Sequence, residues 1–239
     1  MGYQSVFKRY ELKYLLTIDQ KQRVLAAMAP YMALDQYGRT TIRNIYFDTD
    51  TYRLIRHSME KPAYKEKLRI RSYCKAEQQS PVFVELKKKY SGVVYKRRLA
   101  MPEQDAMNWI CNGICTAESN QISREIEYFR RFYQELRPTV FLSYEREAYY
   151  CQNGGDFRVT FDDHILAGQE ELSLGSEAWG DPILEDGKVL MEIKTGGGIP
   201  LWMTGVLTEE CIFKTSFSKY GTAYQTQIFP NCTGGYLHV

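Results

Sequence analysis

Polar and apolar residues alternate with a period of two through most of this chain. In "KLRIRSY" (67–73), Lys67, Arg69 and Arg71 fall on one face, while Leu68 and Ile70 fall on the other. That is the spacing of a β-strand. The same pattern predicts strands in "FKRYELKYLL", "IRNIYFDT", "VFVELKKKY", "VVYKRRLAM", "TVFLSYEREAYY", "FRVTFDDHI" and "KVLMEIKT". Ser91-Gly92 and Asn153-Gly154-Gly155 are turn sequences that join neighbours as hairpins. Helical spacing interrupts the alternation. Thr17 and Gln20 make a capping box ahead of Val24, Leu25 and Met28. Asp50 is placed to cap a short helix through Leu54, Ile55 and Met59. Residues 102–136 predict one helix from Pro102 to Gly113, then a longer one with Ile122, Ile126, Phe129 and Tyr133 on one side. A last helical region contains "FSKYGTAY", and residues 226–239 read as a loose tail.

The polar faces are unusual in what they carry. Seven segments repeat the theme: Arg9, Glu11 and Lys13; Lys67, Arg69 and Arg71; Glu85, Lys87 and Lys89; Lys96 and Arg98; Tyr144 and Arg146; Arg158 and Thr160; Glu192 and Lys194. One alternating basic strand is ordinarily a solvated face. Seven together, each with a largely apolar opposite face, point to a shared charged interior. The expected fold is α+β: a closed antiparallel β-barrel with a charged lumen, its apolar outer face packed under flanking helices. With no repeat and no linker, the chain reads as one domain, 1–239, with a core of about 6–225.

Composition sharpens this. The chain has 239 residues and a net charge of only +2, so any basic site is local and acidic residues lie elsewhere. That balance argues against nucleic acid as the partner. Two like charges about 4 Å apart repel by roughly 4 kcal/mol at an effective dielectric near 20. A lumen of such cations therefore calls for an anion, and a phosphate chain, gripped by arginine forks and lysine point charges, matches it. Glutamates beside phosphates suit a hard divalent ion, Mn2+ or Mg2+. No phosphate loop, dinucleotide fingerprint, nucleophile elbow or HExxH helix is present. Six cysteines without a CxxC pair read as buried free thiols of a reducing compartment. No signal peptide is apparent, and the apolar stretch 24–34 is too short to span a bilayer. A cytoplasmic protein without direct membrane insertion is expected; a membrane-protein partner stays open.

The order "RYELKYLL", "YFDT", "KLRIRSY", "FVELKKK…VVYKRR", "SYEREAY", "FRVTFD", "LMEIKT", "FSKYGTAY" resembles the VTC domain, the polyphosphate polymerase branch of the CYTH-like triphosphate tunnel metalloenzymes. The resemblance implies an antiparallel tunnel barrel that makes polyphosphate from the terminal phosphate of ATP with a divalent metal. By the same resemblance, Arg69, Arg71, Lys87, Arg146 and Arg158 act in phosphoryl transfer. Lys13, Lys96, Tyr144, Ser218 and Lys219 bind substrate, and Glu192 binds the metal, with Glu11 similar to a metal-side glutamate of the wider superfamily. Arg9, Lys67, Lys89, Arg98 and Lys194 join the binding set through the alternation. Position 9 is Arg where the wider signature has an acid. Ser216 stands where the branch often has a lysine, the nearest here being Lys214. The alternatives are a triphosphatase of the same superfamily and a non-catalytic polyphosphate- or nucleotide-binding module.

Overall fold

The computed structural model describes residues 6–230, with side chains from Tyr10 onward. The alternating segments form long strands: β1 (Val6–Thr17), β2 (Met32–Asp48), β3 (Tyr64–Ser72), β4 (Pro81–Tyr90), β5 (Val93–Pro102), β6 (Arg137–Cys151), β7 (Arg158–Gly168) and β9 (Lys188–Thr195). Two short strands, β8 (Asp181–Pro182) and β10 (Lys214–Thr215), add to these. The helices are α1 (Ile18–Met28), α2 (Arg53–Met59), α3 (Glu103–Asn112), α4 (Gln121–Tyr133), α5 (Leu201–Glu209) and α6 (Lys219–Ala223). A π-helical turn, Tyr224–Ile228, follows α6. The expected loose tail is corrected over 226–230: the π-helical turn runs to Ile228, whose side chain is fully buried, and helix continues through 229–230, while the part beyond 230 lies outside the described residues.

All strand pairs are antiparallel. The order is β10-β1-β5-β4-β3-β2-β6-β7-β8, with β9 off this path and paired to both β1 and β7. The expected closed barrel is corrected by this arrangement: the protein has a ten-stranded sheet with ends at β10 and β8. β1 and β5 pair only where Val6–Arg9 faces Val94–Arg97. Past Arg9, β1 pairs instead with β9 and, at Lys13 and Tyr14, with β10. Alternation reports which face a side chain takes; it is silent on which strands pair and over what length.

The apolar faces are covered by helices. Leu68, Ile70, Val82, Val84 and Leu86 pack with Trp109 of α3 and Ile126 and Phe129 of α4. Val159, Met191 and Ile193 pack with Val24 and Met28 of α1 and with Met203 and Val206 of α5. Ile42, Leu142 and Ile165 pack with Tyr220 and Ala223 of α6.

The helix ends follow local chemistry. The Thr17–Gln20 capping box forms at α1. Gly113 ends α3 at φ 77°, a left-handed turn that a β-carbon would strain. The expected Asp50 cap is corrected: Asp50 pairs with Arg137. Tyr52, at φ 55°, turns the chain so that Asp48 reaches the amides of Leu54 and Ile55 instead. The buried cysteines are corrected too. Cys74, Cys111, Cys115 and Cys211 are exposed free thiols, because each sits in a helix's last turn or in a connection rather than on an inward face. Cys232 lies outside the described residues. Among the described residues, no helix is long and apolar enough to cross a membrane.

Trp109 is fully buried, and its Nε1 donates to Glu127 at 2.9 Å, tying α3 to α4. Trp109→Ala is expected to destabilise the fold by about 3–5 kcal/mol, the range for truncating a buried aromatic. Denaturant unfolding checks this, with a lower midpoint at an unchanged slope as the expected result.

Candidate anion-binding site

The cation faces of the sheet, with the segment around α6, surround a cavity of about 920 Å3. Among the described residues, fourteen lysines and arginines line it against four carboxylates. The lining includes Glu11, Lys13, Lys67, Arg69, Arg71, Lys87, Lys89, Lys96, Tyr144, Arg146, Arg158, Glu192, Lys194, Ser218 and Lys219. Lys214 and Ser216 line it as well. Arg98 is not among the lining residues; its guanidinium lies 4.6 Å from the centre of the Phe83 ring. The Arg9 side chain lies outside the described residues.

Strand register explains the crowding. Lys65 sits opposite Lys89, Lys67 opposite Lys87, and Lys87 opposite Lys96. Like charges directly opposite each other across strands are destabilising. Carboxylates relieve part of this. Glu85, fully buried, pairs with Arg69 at 2.8 Å and Lys96 at 2.5 Å. Asp162, also fully buried, accepts both arms of Arg146 at 2.6 Å and Lys219 at 2.5 Å. Glu192 stands among Lys13 (3.3 Å), Lys194 (3.3 Å), Lys219 (3.6 Å) and Arg146 (3.7 Å). Glu11 pairs with Lys87 at 2.6 Å.

Sequence reasoning missed Asp162, although the alternation from Arg158 through Thr160 leads to it on the same face. It also missed Asn44 and Tyr46. The Arg71 Nε donates to Asn44 and another of its nitrogens to the Tyr144 hydroxyl, both at 2.9 Å. Arg69 donates to the Tyr46 hydroxyl at 2.7 Å. Neutral residues on a strand carry no charge signal, and only the folded pairing shows what they hold.

Burial and neighbouring charge pull the ionisable groups in opposite directions. Burial would raise the Glu11 carboxyl, but Lys87 overrides it and holds the group at about 2. Burial works against ionised Glu85 and Glu192 too, yet the surrounding cations hold both well below the usual carboxylate range. The lysines go the other way. Burial, then Lys13, lowers Lys67 to about 7. Burial lowers Lys96 to about 7, with Arg71 and Arg69 adding to it against the pull of Glu85. Burial lowers Lys194 to about 8. Lys219 is the exception: Asp162 and Glu192 outweigh its burial and raise it.

Among the described residues, no three His, Cys, Asp or Glu side chains converge as a metal cage. What the cavity offers is two acidic side chains near each other. Lys13 is the β-partner of Glu192, and Glu11 stands two residues from Lys13 on the same face. A hard divalent ion needs only one or two carboxylates when phosphate oxygens and water complete its shell. Glu11 and Glu192 are of the type that suits this mode, each paired with lysine in this structure.

The lysines give a signed pH dependence. Their folded values lie below the ordinary 10.5, so between about 7 and 10.5 the unfolded chain holds more protons than the folded one. Stability of the unliganded protein should therefore rise with pH through that window. A bound polyanion favours the charged lysines and reverses the shift. Tripolyphosphate binding at pH 8 is expected to take up protons, and near pH 6 to take up almost none. Calorimetry in two buffers of different ionisation enthalpy measures this. An absence of buffer dependence at pH 8 would mean that the lysines are already charged.

Comparison with known proteins places this geometry. A Bacillus halodurans protein provisionally named an adenylate cyclase shares the fold at TM-score 0.57 and 14% identity, over 90% of this chain and 96% of that one. A Hippeastrum protein, provisionally named an adenylyl cyclase and described as having a dominant triphosphatase activity, matches at TM-score 0.55 and 16% identity, over 91% and 95%. No curated protein sequence matches significantly. The family model of the VTC domain matches residues 8–228, from β1 through the π-helical turn, and the chain therefore belongs to the VTC domain family.

Proposed function

We propose that this chain transfers the terminal phosphoryl group of ATP onto a phosphate chain, in the manner of a polyphosphate polymerase. The observation that carries this reading is the charge imbalance of the cavity. Among the described residues its lining has fourteen cations and four carboxylates. Subtracting also the buried Glu85 and Asp162 leaves a formal excess of about eight. A phosphate contributes roughly one negative charge, and about one more at a chain end. A nucleoside triphosphate therefore supplies about four, half of what the cavity asks for. A longer chain, or a chain and a nucleotide together, fits the excess better.

The arginines are set for the task. Arg69 and Arg146 are each braced by a carboxylate, and Arg71 by Asn44 and Tyr144. Braced forks need no reorganisation when charge develops, which is where electrostatic catalysis gains most. In this mechanism Arg69, Arg71, Lys87, Arg146 and Arg158 hold the transferring phosphoryl group in line. Lys13, Lys67, Lys89, Lys96, Lys194, Ser218 and Lys219 hold the flanking phosphates. A terminal oxygen of the chain attacks the γ-phosphorus. The bond from that phosphorus to the β-bridging oxygen breaks, and ADP departs with the electron pair. Glu192, with Glu11, would hold a divalent ion, which would supply charge neutralisation for the phosphates.

The test is incubation with ATP and manganese, followed by electrophoresis for a polyphosphate ladder and an orthophosphate assay. A ladder is expected. Orthophosphate without a ladder would make the chain a triphosphatase, the activity described for the Hippeastrum protein. Neither product would make it a binding module.

Glu192→Gln keeps the shape and removes the charge. Metal-dependent turnover is expected to fall by at least about 100-fold, the scale of a lost transition-state charge contact. Metal-free tripolyphosphate affinity should hold or tighten, because one anion has left the cavity. Measuring both on one preparation separates metal binding from simple ion pairing, for which turnover would persist.

A further inference from the structure

Asp48 ends β2, is fully buried, and is not part of the cavity lining. Among the described residues, no cation pairs with it. Four donors satisfy it instead: the amides of Thr49 (2.8 Å), Leu54 (2.8 Å) and Ile55 (3.0 Å), and the hydroxyl of Tyr220 (2.9 Å). The three amides close the turn into α2. The fourth bond is of another kind, because it reaches a residue 172 positions away.

Tyr220 sits in α6 and is 1% exposed. Its ring stacks on Tyr46 with centroids 4.9 Å apart. Its neighbours are cavity groups: Lys219 donates to Asp162 at 2.5 Å, and Ser218 accepts from Lys67 at 2.9 Å. Tyr46 in turn accepts from Arg69 at 2.7 Å. From behind, the segment that carries Ser218 and Lys219 is held by the apolar packing of Tyr220 and Ala223; toward the cavity its support is slight. β10 is two residues long, and Lys13 donates to the Phe217 carbonyl at 2.6 Å. Lys13, Lys67 and Lys219 would all turn to phosphate oxygens when an anion arrives, so the contacts they make to this segment and to the carboxylates cannot fix it in the liganded state. The Tyr220–Asp48 bond involves no cavity cation and survives.

We propose that Asp48 and Tyr220 are a positioning pair, whose hydrogen bond sets where Lys219 and Ser218 stand against the sheet when a phosphate polyanion is bound. This rests on the anion reading of the cavity. Asp48 touches no substrate and acts through Tyr220, and Tyr220 acts through its chain neighbours.

Tripolyphosphate affinity, measured by calorimetry at pH 7, tests the pair in a double-mutant cycle. Tyr220→Phe keeps the ring and its stack and removes only the hydroxyl. It is expected to weaken binding about tenfold, the size of one lost hydrogen bond to a charged group. In the Lys219→Ala background the same change should cost less than about twofold, because residues that act as a unit are not additive. Asp48→Asn keeps the shape and should reproduce the tenfold loss, which covers the case where one variant folds poorly. Equal losses in both backgrounds, or a lower melting temperature with unchanged affinity, would assign the pair to stability alone and overturn the proposal. If the unmodified protein fails to bind tripolyphosphate, the anion reading falls first, and the positioning role falls with it.

Discussion

Mutual repulsion of cations inside a half-closed sheet is the constraint on which this structure depends. Lysines face lysines across β3, β4 and β5. Such rows lower stability wherever they occur. The fold tolerates them because a few carboxylates are placed where each serves several cations. Glu85 serves the β3–β5 wall and Asp162 the β6–β7 wall, and Glu192 stands between β1, β6 and α6. Removing any one would expose several buried cations to each other at once. Partial cancellation makes chemical sense: a fully neutral interior would be more stable and would hold no anion.

The apolar side of the same strands supplies what the polar side forfeits. Each strand that presents a cation inward presents Leu, Ile, Val or Phe outward, and helices cover those faces. This is why so much could be read from one period. Leu68 and Ile70 between Lys67, Arg69 and Arg71 fix both faces of β3 at once, and the cavity lining contains nearly every cation the alternation picked out. Charged alternation is a strong signal because it is costly.

The unreadable parts are those decided by pairing rather than by pattern. Nothing in "KRYELK" says that β1 leaves β5 after Arg9 and continues with β9 and β10. Asp162 lies in a segment whose alternation does predict a strand, but the basic stripe draws attention to cations, and only the folded pairing shows that this acid holds Arg146 and Lys219. The bulge between Ser143 and Glu145 shifts the register of β6 against β7 there. His164, at φ 46°, sits within this irregularity of β7. Asp48 and Asp50 compete for one helix start, and a single left-handed residue, Tyr52, decides between them. Such decisions are made by geometry over a few residues, below what hydrophobic periodicity can resolve.

The two kinds of cation divide the work. Arginine stays charged in any protein environment, and its planar fork can be braced from one side while the other stays open. Arg69, Arg71 and Arg146 are held that way, by Glu85, by Asn44 with Tyr144, and by Asp162. They form a permanent frame, with a carboxylate beside Arg69 and Arg146 and neutral partners at Arg71. Lysine can shed its proton, and burial brings Lys67 and Lys96 down to about 7 and Lys194 to about 8. An empty cavity therefore carries less charge than its composition implies, which eases the repulsion that would otherwise open the sheet. On the proposed reading, charge would appear in full only when an anion is there to receive it. The lysines thus let one cavity be stable when empty and strongly cationic when filled, and arginine at those positions could not do both.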